Sequence, residues 1–168
     1  MNGSTIEKAV LTKAALALYD EGYDGPQGKG TWFTDGGPES GFLGTLEAIG
    51  ALEANRALPG GEGLTVASHV GHLRYSLELA NRAMRGENPY KDANWARSWD
   101  IRAVSEGEWK ELLASLREEY VALRKAIAAG SAWEDEDTLT GTLGLISHGA
   151  WHLGAVRQAL GQVVAPKA

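Results

Sequence analysis

Four segments of this chain place apolar residues every three to four positions, and no segment alternates apolar with polar residues well enough to form a strand. That spacing is the period of one helical face, so the sequence predicts an all-α bundle. The best-marked helix starts at Ser105. Its side chain and that of Glu108 have the spacing of a capping box, and Val104 is placed to staple against Trp109. Leu112, Leu113, Leu116, Tyr120, Leu123 and Ile127 then form a stripe that Gly130 closes. Another helix is predicted from about Thr65 to Arg85, with Val66, Val70, Leu73, Leu77, Ala80 and Met84 on one face and Gly86 as its stop.

The first helix is predicted to begin in "STIEKAV", where Ser4 and Glu7 have capping-box spacing, and to run to about Glu21. The last should run from about Thr138 to Leu160, with Glu134 to Asp137 at its positive end. A shorter helix is expected at about residues 40 to 56. Two long connections remain, one rich in Gly and one carrying Trp95 and Trp99. The isolated glycines of "GFLGTLEAIG" and "GTLGLISHG" read as points of close packing.

A chain of 168 residues is expected to form a single domain over residues 1–168, with 162–168 as a frayed tail. The formal net charge of -6, with no run of Lys or Arg, argues against nucleic acid. No apolar stretch is long enough to span a bilayer and no secretion signal is visible, so the expected location is cytoplasmic. There is no cysteine, which leaves His, Asp and Glu as the strong metal ligands. Any thiol chemistry must bring its sulfur in with the substrate.

The four histidines occur as two pairs, His69 with His72 and His148 with His152. Residues four apart on a helix lie one above the other, close enough for two imidazoles to converge on one ion. A catalytic zinc site takes three protein ligands and keeps a fourth position open, so a third must come from the other pair. By periodicity His69 lies nearer the apolar centre of its helix than His72, which does not decide between them. His152 falls at the margin of the last helix's stripe, with His148 one step further out. No Glu follows the first His of the pair as in H-E-x-x-H, and no Glu-x-x-His repeat suggests a dinuclear carboxylate site.

With these motifs the chain resembles the DinB/YfiT-like family of metal-dependent enzymes. "TVASHVGHLRYSL" is similar to the family's first ligand motif and "HGAWH" to its C-terminal H-x3-H; "TWFTDGG", "RGENPY" and "NWARSW" resemble a bacterial subgroup. The resemblance implies a DinB/YfiT-like four-helix bundle with His72, His148 and His152 as metal ligands and His69 as the stand-in. It implies one divalent ion, zinc or nickel, and an enzyme that transfers a low-molecular-weight thiol or hydrolyses its substrate. It also implies a homodimer. The alternative is a non-catalytic metal- or ligand-binding stress-response protein on the same bundle.

Other residues carry weaker signals. Trp32, Trp95 and Trp99 either line a pocket mouth or pin their loops, and Trp151 projects between the His face and solvent or a partner. Arg74, Arg82 and Arg157 either attract an acidic cosubstrate or, as is usual for long helical arginines, are solvated or paired with neighbours such as Glu78. Glu47 and Asp100 are second-shell or general-base candidates without a supporting spacing, so no catalytic base is assigned.

Overall fold

A computed structural model of the chain describes residues 6–28, 30–133 and 135–162. Ser4 and most of the 162–168 tail lie outside the described residues. Helix α1 spans Lys8–Asp24 with Glu7 at its N-cap, three residues beyond the expected end at Glu21. The remaining helices are α2 (Phe42–Glu47), α3 (Ala51–Ala54), α4 (Val66–Met84), α5 (Glu106–Ala128) and α6 (Glu136–Ala159). None of the described helices is long and apolar enough to cross a membrane.

Local chemistry sets most helix ends. The Ser105 amide donates to the Glu108 carboxylate at 2.7 Å and the Glu108 amide to Ser105 Oγ at 3.3 Å, which is the capping box the sequence predicts. Asp135 caps α6 by accepting from the Thr138 amide at 2.8 Å. Gly86 and Gly130 follow α4 and α5 with φ of 84° and 85°, a conformation that costs glycine little.

The expected 40–56 helix is instead two short helices. At the break, the Ile49 carbonyl accepts from Trp109 Nε1 at 3.2 Å and the Ala51 amide donates to Glu106 at 2.8 Å. Side chains of α5 thus take over the backbone groups at this point. The glycine expectation divides. A Cβ on Gly41 would lie 2.2 Å from the Gly25 nitrogen and one on Gly44 2.7 Å from Glu39 Cα, whereas Gly141 and Gly144 face open space.

The four long helices form the bundle. Helix α1 packs on α5 and α6, and α4 packs on the same two, so α4 and α6 are neighbours. Tyr19, Tyr23, Leu73, Leu77, Leu116, Tyr120, Leu123 and Val156 are buried in one shared core. Burying each such aliphatic side chain stabilises the fold by about 1.5 to 3 kcal/mol before the entropy of ordering it is counted.

Both long connections are tied down. Buried Glu21 accepts the backbone amides of Trp32, Phe33 and Thr34 and the Thr34 hydroxyl, at 2.8 to 2.9 Å. The second connection lies on α4. Gly71 makes room for it, since a Cβ there would meet Ile101 Cδ1 at 2.8 Å. Ser68 donates to the Ile101 carbonyl, and the Asn94 amide donates to the Tyr75 hydroxyl at 3.0 Å. These contacts set the 3-10 turn Arg97–Trp99 against the His-bearing turns of α4.

Candidate metal centre

Histidines 72, 148 and 152 converge: one ring nitrogen from each lies within 4.8 Å of the other two. His72 comes from α4 and the other two from successive turns of α6. His148 Nε2 is 3.3 Å from His72 Nε2 and 2.9 Å from His152 Nε2. A tetrahedral ion with nitrogens at about 2.0 to 2.1 Å would space them about 3.3 Å apart. The cluster is therefore capable of coordinating a metal ion.

The tautomer of His72 follows from its neighbours. Ser98 Oγ lies 2.6 Å from His72 Nδ1 and 2.6 Å from the Trp95 carbonyl. A carbonyl only accepts, so the single hydroxyl proton goes to Trp95 and His72 must donate its Nδ1 proton to Ser98. Its Nε2 is left bare and faces the other two rings. This is how outer hydrogen bonds prepare an imidazole to bind a metal.

Burial pushes all four imidazoles below their ordinary value near 6.5. His152 is driven to about 2, first by burial and then by the charges of His148, His69 and His72. His69 and His72 are driven to about 4, mainly by burial and next by His148. The rings are thus neutral near pH 7, which is the state that donates a lone pair to a cation.

His152 is fully buried, whereas periodicity set it at the margin of the α6 stripe. The second connection packs on α4, and its Trp99 ring reaches His152 on α6 at 5.7 Å between centroids. Trp99 stacks on His72 with centroids 3.9 Å apart, and Trp95 stands 5.9 Å from the same ring. Trp151 is 60% exposed and its ring stacks on His69 at 5.7 Å, so it bridges the His face and solvent as expected. Trp32 is exposed, and its backbone amide donates to Glu21.

His69, equally buried, does not join the three-ring cluster; its Nδ1 meets His152 Nδ1 at 2.9 Å. Arg74 and Arg82 follow the neighbour-pairing reading and bind Glu78 and Glu87, whereas Arg157 binds Asp35 in the Gly-rich connection, far along the chain. Glu47 binds Arg117 at the surface and Asp100 is exposed. Ser98 and Glu21 were missed in the sequence. Neither has a spacing motif, because each acts on backbone groups or on a residue far along the chain.

The family model described as the DinB superfamily matches residues 39–158, most of the chain, including every histidine. The chain belongs to the DinB superfamily. No curated protein and no solved structure matches it. The DinB match and the three-ring cluster rest on different observations, one on sequence and one on geometry.

Proposed function

We propose that this DinB-superfamily chain is a mononuclear metal-dependent enzyme, with His72, His148 and His152 as the ligands of one divalent ion, zinc or nickel. The observation that carries the reading is the meeting of three neutral rings, with the Nε2 atoms of His72 and His152 at 3.3 and 2.9 Å from His148 Nε2 and with His72 held by Ser98 in the tautomer that bares its nitrogen. When bound there, such an ion supplies Lewis acidity, lowering the pKa of a thiol or water toward neutrality.

The protein's own residues do the rest. Three imidazoles contribute no charge, so the centre keeps its attraction for an anionic nucleophile. Trp99 covers one face of His72 and limits water there. The substrate in this reading is a small molecule, with a low-molecular-weight thiol as the transferred group or nucleophile; the chain holds no cysteine, which is compatible with a sulfur that arrives with the substrate. Hydrolysis is the variant in which water takes the thiol's place.

The same proposal takes residues 1–168 as one cytoplasmic domain that forms a homodimer, and neither nucleic acid nor membrane as a partner. Trp32, Leu52 and Trp151 are large apolar side chains left exposed, and their exposure is what supports a homodimer in this reading. A second reading, a non-catalytic metal- or ligand-binding stress-response protein, is favoured by one observation: no carboxylate joins the cluster among the described residues, so no general base stands beside it.

The test is elemental analysis of protein purified from cells, followed by a screen of thiols, electrophiles and amides before and after chelation. Stoichiometric metal with turnover lost on chelation supports the enzyme. Stoichiometric metal without turnover supports the binding protein, and turnover that persists after verified metal removal overturns the mechanism.

A further inference from the structure

His69 is buried, and it stands outside the three-ring cluster with its Nδ1 2.9 Å from His152 Nδ1. One proton must lie between these two nitrogens for the contact to be a hydrogen bond, and it can sit on either ring. If it sits on His69, neutral His152 carries its own proton on Nε2 and has no lone pair to offer there. If it sits on His152, that ring's Nε2 is bare and faces His148 Nε2 at 2.9 Å. Only the second arrangement lets His152 ligate through the nitrogen that faces the cluster.

We propose that His69 is a positioning residue of the metal centre, accepting the Nδ1 proton of His152 on its own Nδ1 and so fixing the ligating tautomer of His152. The assignment rests on the metal reading above and adds to it a role for the fourth histidine. Ligating imidazoles usually donate their second N–H to a carboxylate, a backbone carbonyl or water. Here the acceptor is another neutral imidazole. It orients the ligand without adding negative charge, which leaves the centre more electrophilic than a carboxylate partner would. His69 is itself held by ring contacts, with Trp99 edge-on at 5.2 Å and Trp151 stacked at 5.7 Å.

The side chains of Asn and Leu separate acceptor from bulk. Asn places an oxygen near the position of Nδ1, whereas Leu has nearly the same shape and no acceptor. Chelated wild type, His69→Asn and His69→Leu are titrated with zinc against a chromogenic chelator, with far-UV helicity recorded for each. Wild type is expected to bind one zinc, His69→Asn to bind within about threefold of it, and His69→Leu to bind about 10- to 100-fold more weakly. Histidine 15N spectra of zinc-loaded wild type read the tautomers directly, whether or not a variant folds. The expected result is a protonated Nδ1 on His152 and a bare Nδ1 on His69. A protonated or zinc-bound Nδ1 on His69, or equal affinity in all three proteins, overturns the assignment while leaving the metal site standing. Failure of wild type to take up zinc or nickel overturns the metal reading and this assignment with it.

Discussion

Ser98 accepts the Nδ1 proton of His72 at 2.6 Å while giving its own proton to the Trp95 carbonyl, so a loop residue fixes the state of a helix residue 26 positions earlier. Replacing Ser98 by Ala removes that acceptor and frees the ring to rotate or change tautomer. The expected outcome is metal binding weakened about 10-fold or more, with unchanged far-UV helicity. Equal affinity in a competition titration would show that Trp99 stacking alone holds His72.

Among the cluster histidines, His148 is only partly buried and is the safest to remove. His148→Ala should lose more affinity than the roughly 100-fold ceiling for outer hydrogen-bond partners, because it takes away a donor atom. Its thermal unfolding without metal should stay close to that of wild type, since the core that includes Leu73, Leu116, Leu123 and Val156 does not depend on an ion. For the same reason, chelation should leave most helicity in place.

Glu21 is expected to matter for stability rather than chemistry. Burial raises its carboxyl, but the amides of Phe33, Thr34 and Trp32 outweigh that and leave the pKa lowered. Glu21→Gln replaces one acceptor oxygen by a donor aimed at those amides. A loss of about 2 kcal/mol is expected in urea unfolding at pH 7. A change below about 0.5 kcal/mol would mean that the Gly-rich connection contributes little to the fold.

The pH dependence of metal-free protein follows from the same groups. The folded histidines have lowered pKa values, so between about pH 6.5 and pH 4 the unfolded chain binds more protons than the folded one. Stability therefore rises with pH across that window and is lost as pH falls through it. One imidazole shifted to about 4 contributes on the order of 2 kcal/mol of this loss between pH 7 and pH 5. Glu21 acts in the same direction at lower pH: its contribution is present above the ordinary carboxylate range and is lost as pH falls through its lowered value. Unfolding midpoints in chelator at pH 7 and pH 5 check this, and a flat profile would show that the rings are charged or solvated in the fold.

The helical architecture was legible in the sequence because its cues are local. Ser105 and Glu108 lie three residues apart, the stripe of α5 repeats within one helix, and Gly130 follows at once. The His pair on α6 was legible for the same reason. Choosing between His69 and His72 was not a local matter, because both are buried and periodicity, which set His69 further inward, does not decide which of them joins the cluster. What separates them is the docking of the 3-10 turn Arg97–Trp99 on α4, which brings Ser98 to one ring and leaves the other facing His152 Nδ1. The break at Ile49 was hidden likewise, because the groups that claim its backbone, Glu106 and Trp109, lie more than fifty residues away.

The most direct measurement is a crystal structure of zinc-loaded protein with anomalous diffraction recorded across the zinc edge. One zinc peak per chain is expected, bonded to Nε2 of His72, His148 and His152 at about 2.0 to 2.1 Å, with His69 outside the coordination shell. A map with no zinc at these rings, or with His69 in place of His72, would contradict it.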